Sequence, residues 1–161
     1  MRSLASQHVG LRASRGFTLL ELLSALAICG LLAGVAVPTY RAIVERQKTQ
    51  TAIRDLAEIS MRIERYFTNR FEYPESLEDI GAHEMRDPWG NPYRYLSFDA
   101  DIPGINGKIR KDHNLHPINS NFDLYSVGPD GESRAPLTAR HSRDDIVYAR
   151  DGGFIGPAED F

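Results

Sequence analysis

From Phe17 to Val37 the chain is apolar at nearly every position, and one charge, Glu21, interrupts it. A segment that is apolar all round is a spanning helix rather than a surface helix, and this one would be about 32 Å long, close to the hydrocarbon thickness of a bilayer. Pro38 follows, and its missing N–H predicts a kink or local opening. Beyond it the pattern changes. Ile53, Leu56, Ile59, Ile63, Tyr66 and Phe67 recur at spacings of three and four, which predicts an amphipathic continuation of the helix. Arg54, Asp55, Glu58, Arg62 and Arg65 lie largely off that stripe, with Glu58 and Arg62 spaced for a surface pair. Glu45 to Thr51 is almost wholly polar, as befits chain just outside an apolar core. Phe71-Glu72-Tyr73-Pro74 ends the helix, because proline holds the residue before it out of helical geometry. The SLEDI that follows predicts one helical turn with Leu77 and Ile80 inward.

Further along, the period shortens to two. Three strands are predicted: YRYLSF after the turn-rich Asp87-Pro88-Trp89-Gly90-Asn91-Pro92-Tyr93, FDLYSVG at 122–128, and DIVYA at 145–149. Between the first two lies a polar loop containing Gly, Pro and Asn. The predicted class is α+β: a long N-terminal helix, its first half transmembrane, packed on a small antiparallel sheet.

Composition narrows this picture. At 161 residues with 25% charged, the chain has room for one domain and an appendage. A formal charge of −3 without Lys/Arg blocks speaks against a nucleic-acid partner. Cys29, the only cysteine, lies in the apolar run, so no intramolecular disulfide staples the head. Arg2, Arg12 and Arg15 precede the run like the basic front of a signal peptide, but Arg41, Arg46 and Lys48 follow it, and the charge bias for orientation is weak. Glu21 stands out, since a carboxylate in a bilayer costs roughly 2.5–3.5 kcal/mol on insertion scales. It needs a partner.

Gly16-Phe17-Thr18-Leu19-Leu20-Glu21 resembles the processing motif of type IV pilins and type II secretion pseudopilins. The resemblance implies a leader, residues 1–16, cut between Gly16 and Phe17 by a prepilin peptidase that also methylates the new amine of Phe17. The filament-core helix would then be 17–38, its amphipathic continuation 39–71 and the head 72–161. Glu21 becomes the fifth mature residue, and its carboxylate would meet the Phe17 amine of a neighbouring subunit, each charge offsetting the other in an apolar bundle and setting the stagger. Pro38 and Tyr73-Pro74 sit where the family often has them. The Asp87–Tyr93 stretch and Phe122-Asp123-Leu124-Tyr125-Ser126-Val127-Gly128-Pro129-Asp130-Gly131 look like two signatures of the major pseudopilin of type II secretion. Trp89 then reads as a structural anchor under its turn.

That family binds calcium in its C-terminal loop. The resemblance implies Asp130, the backbone carbonyl of Val127, and Asp144 or Asp145 as ligands, a hard oxygen set of the kind calcium takes. The alternative is a pair of turns with solvated carboxylates. Where the family usually has a short, glycine-rich acidic stretch, this chain has the longer, basic ESRAPLTARHSR, and RDGGFIGPAEDF follows the third strand without the family's tryptophan. An EF-hand is excluded by spacing. His113 and His116 read as polar loop residues rather than half a zinc site, and His141 could assist a metal but nothing requires it.

The resemblance implies a structural subunit and not an enzyme: a single-pass inner-membrane protein, leader cytoplasmic and head periplasmic, that homopolymerises into a pseudopilus. Its expected partners are prepilin peptidase, minor pseudopilins and the inner-membrane assembly platform. The alternatives are a major or minor type IV pilin, which commonly carries a C-terminal disulfide, and a single-span periplasmic binding or catalytic domain.

Overall fold

The computed structural model describes residues 16–113 and 115–161. These fall into two compact units, the first ending at Arg41 and the second comprising Ala42–Phe161. One helix, α1, runs Leu19–Arg70. Its helical assignment continues through Pro38, so the predicted opening does not end the element. Proline still leaves the carbonyl four residues back without its usual donor. Nearby, Thr39 Oγ1 donates to the Val35 carbonyl at 2.9 Å. Every residue from Leu19 to Tyr40 is exposed, including Leu19, Leu26, Leu31 and Val35.

In the second unit α1 buries Ala52, Leu56, Ile59, Ser60 and Ile63. The expected stripe is present but centred one residue aside: Ile53, Tyr66 and Phe67 flank it half-buried, and the small Ala52 and Ser60 lie inside it. Glu58 pairs with Arg62 as the spacing predicts. The helix ends at Arg70, one residue before the expected bound of 71. Phe71 turns left-handed at φ 59°, and its N–H donates to the Phe67 carbonyl at 2.7 Å, a reversal of the kind that commonly closes helices. The SLEDI segment forms a hydrogen-bonded turn, with Leu77 buried and Ile80 packed beside it.

The sheet has four strands in the order β1-β2-β3-β4, all antiparallel: β1 Arg94–Ser97, β2 Phe122–Ser126, β3 Ile146–Ala149 and β4 Phe154–Pro157. The first three match the predicted segments; β4 is additional. Alternation along β3 divides the core. Ile146 and Tyr148 join Leu124, Phe122 and Tyr93 against Leu56, Ile59 and Ile63 of α1. Val147 and Ala149 face the other way, into a second cluster with Ile118, Leu137 and Ala158. Burial on both faces explains why IVYA is apolar throughout. The two long loops supply the second cover. Lys111 bridges Pro136, the Leu137 N–H donates to the Lys111 carbonyl at 2.9 Å, and the Ala158 N–H donates to that of Asp145 at 2.8 Å.

Candidate processing, assembly and metal sites

Gly16, Phe17 and Thr18 precede the first helical residue and are exposed, Phe17 at 83%. The Gly16–Phe17 bond therefore lies in unwound, accessible chain, as a peptidase requires. Of the expected leader, residues 1–16, those up to Arg15 lie outside the described residues. Four residues on from Phe17, Glu21 has a partner that the sequence reading overlooked. Its Oε2 accepts the Thr18 N–H at 2.8 Å and the Thr18 hydroxyl at 2.8 Å, while Thr18 Oγ1 accepts the Glu21 N–H at 3.2 Å. Thr18-Leu19-Leu20-Glu21 is a capping box, satisfying donors at the exposed helix start reciprocally. The T-x-x-E spacing announces it.

Within the second unit the two signature stretches meet. Asp87 is buried; its Oδ1 accepts the N–H groups of Trp89 and Asn91 at 3.1 and 2.8 Å, and its Oδ2 accepts the Ser126 hydroxyl at 2.6 Å. Asn91 Nδ2 donates to the Gly128 carbonyl at 3.0 Å. Trp89 is half-buried against the core, and its indole N–H donates to Glu45 Oε2 at 3.0 Å, tying the turn to α1. Tyr93 hydroxyl donates to Asp55 Oδ2 at 2.7 Å. Burial, with that bond and charge, pushes the phenol's pKa far upward, so it stays a donor.

The four expected calcium ligands lie along one loop, with Asp144 bonded to the backbone of Asp130 and Asp145 turned inward. Val127 is buried. Asp130 Oδ1 accepts the Glu132 N–H at 2.8 Å; its Oδ2 is 3.7 Å from His141 Nδ1, which lies 3.0 Å from Glu132. Asp144 Oδ2 accepts the Asp130 N–H at 3.2 Å. Asp145 is wholly buried, its Oδ2 accepting from the Arg110 guanidinium and from the Ser133 hydroxyl. Among the described residues no group of three or more His, Cys, Asp or Glu side chains is placed to hold a metal ion. Asp145, the most buried of these carboxylates, faces the Arg110 guanidinium through Oδ2, while its Oδ1 is buried without a hydrogen-bond partner.

Asp123, missed by sequence reasoning, is the second buried acid there. Its Oδ2 accepts the Arg110 N–H at 2.6 Å and its Oδ1 lies 3.4 Å from Asn119 Nδ2. Desolvation outweighs those bonds and raises its pKa from 3.8 to about 6. A carboxyl whose folded pKa is raised binds more protons folded than unfolded, so stability falls as pH rises from about 4 to 6. The full penalty, about 3 kcal/mol at 1.36 kcal/mol per unit, is present above pH 6. Asp123→Asn should flatten the pH dependence across that window, read as urea midpoints at pH 4, 5, 6 and 7. An unchanged slope would show that Asp123 does not titrate there.

The fold and its N-terminal junction define a pilin-like α+β protein with one helix, among the described residues, long and apolar enough to cross a membrane. A family model described as the prokaryotic N-terminal methylation motif matches residues 11–37. The type II secretion system core protein G of Aeromonas hydrophila is 30% identical over 143 aligned residues, covering 76% of this chain and 87% of that protein. Its counterpart in Escherichia coli K12 is 30% identical, covering 73% and 83%; that of Pseudomonas aeruginosa is 29% identical, covering 75% and 87%. No solved structure matches. The chain belongs to the type II secretion system core protein G family.

Proposed function

We propose that the chain is the major structural subunit of a periplasmic pseudopilus that helps export folded proteins across the outer membrane. The observation that carries this is the exposed apolar face of α1 from Leu19 to Tyr40, headed by Glu21 and the accessible Gly16–Phe17 bond, in a member of the core protein G family. Cleavage there frees the amine of Phe17, and methylation leaves it positive. The mature subunit waits in the inner membrane with its head in the periplasm, anchored by about one bilayer thickness of helix. Prepilin peptidase, minor pseudopilins and an assembly platform are its partners, and the chain itself performs no catalysis. Packing of the exposed helices in a filament removes their apolar surface from lipid and brings Glu21 to the amine of a neighbour.

The test compares exported proteins in culture supernatants of cells with and without this chain. Loss of specific exoproteins, with surface pili intact and restoration by the wild-type chain, is the expected result. Unchanged export with loss of pili or twitching would assign the chain to a pilus instead.

A further inference from the structure

The buried cation of the C-terminal loops is a side chain. Arg110 is 2% exposed, and its guanidinium donates to Asp145 and to the Arg134 carbonyl while its Cζ sits 3.8 Å over the Tyr125 ring. The backbone N–H of Arg110 donates to Asp123 on β2, and the Arg110 carbonyl accepts the Ile118 N–H at 3.2 Å. The residue thus joins the loop between β1 and β2, the loop between β2 and β3, and the sheet itself. Asp145, the start of β3, receives the guanidinium and the Ser133 hydroxyl together. Carboxylate, carbonyl and aromatic face around one point are what a cation seeks in a desolvated place.

We propose that in this chain Arg110 replaces calcium as the staple of the C-terminal loops, so that the head folds and holds its shape without a divalent ion. The departures in sequence agree. The loop from Glu132 to Arg143 is lengthened and basic, and its Arg134 turns a carbonyl to Arg110 while its backbone N–H donates to Ser142 Oγ at 2.8 Å. A divalent ion at Asp145 would confront a fixed positive charge on the same carboxylate. An arginine cannot be chelated, diluted or lost, so loop closure becomes independent of periplasmic calcium. This holds whether the chain builds a secretion filament or a pilus.

The test uses the full-length chain in detergent, melted in EGTA and in calcium at about 2 mM. The expected midpoints coincide within about 1 °C, whereas a ligand at a hundredfold its Kd would raise the midpoint by about 5 °C or more. Such a rise, or one calcium bound per chain by calorimetry, overturns the proposal. Arg110→Met should lower the midpoint by several degrees or prevent folding, because it leaves Asp145 charged and unpaired. Arg110→Met with Asp145→Leu should recover much of that loss, since buried pairs are often replaceable by apolar ones. Arg110→Met melting with the wild type, or a double variant no better than the single, would also overturn it.

Discussion

Glu21→Gln should abolish filament assembly while leaving cleavage after Gly16 intact. The observed cap and the proposed counter-charge role differ in what they ask of this carboxylate. As the far half of a capping box with Thr18, Glu21 needs only an acceptor, and glutamine serves there as well as glutamate. As the counter-charge to the Phe17 amine of a neighbouring subunit, it needs its negative charge. An ammonium left unpaired among apolar helices costs about 3–5 kcal/mol, or roughly a hundred- to several-thousandfold in each association step. Thr18→Ala separates the roles from the other side: it removes the reciprocal bond to the Glu21 N–H but keeps the charge, at a cost of about 1 kcal/mol in helix start. The two variants should therefore part sharply in the yield of sedimentable filament from cells overproducing the subunit, with Thr18→Ala close to wild type. A mass measurement on each mature chain verifies cleavage and methylation. Glutamine filaments at wild-type yield would mean that the cap alone accounts for Glu21.

The parts of the fold readable from sequence are those held by periodic burial. The stripe of α1 and the segments of β1, β2 and β3 answer directly to spacings of three to four and of two. Its buried positions include Ala52 and Ser60, small side chains that hydrophobicity alone does not flag. β4 escaped because Gly156 and Pro157 read as turn formers. What makes it a strand is non-local, the open edge of β3, whose register runs Ile146 to Pro157 through Ala149 to Phe154. The helix, expected to reach 71 before the Phe71–Pro74 stretch, ends at Arg70, where Phe71 reverses the backbone at φ 59°. Of the candidate sites, the glycine–phenylalanine junction was legible as a motif. Arg110 was not, since a basic residue in a polar loop reads as solvated, and its partner Asp145 lies 35 positions away. Only the closing of both loops over Val147 and Ala149 turns it inward.

The largest stability loss in the head should come from adding one methyl group, at Gly128. This residue leaves β2 with φ 67°, a left-handed conformation that side chains other than glycine adopt at about 1–2 kcal/mol. The space is worse than the angle. A Cβ there would stand 2.3 Å from the backbone oxygen of Asp144, 2.9 Å from its carbonyl carbon and 3.1 Å from its Oδ2. Two of these are main-chain atoms and cannot rotate away. The residue is also held from both sides, its carbonyl accepting from Asn91 and its N–H donating to Ser126 Oγ at 3.1 Å. Relief must therefore move either the signature turn or the start of β3, and the second movement would pull Asp145 from Arg110. We expect Gly128→Ala to lose at least about 3 kcal/mol, or roughly 10 °C in midpoint for a head of this size. Gly131→Ala is the control. Its φ of 72° carries the same angular strain, but the nearest atom to its added Cβ is the Asn91 side-chain oxygen at 3.5 Å, an ordinary contact. It should lose only about 1–2 kcal/mol. Thermal melts of the two variants beside wild type measure the difference. Equal losses would mean that the Asp144 loop yields, and that β2 and the C-terminal loop are not clamped at this point.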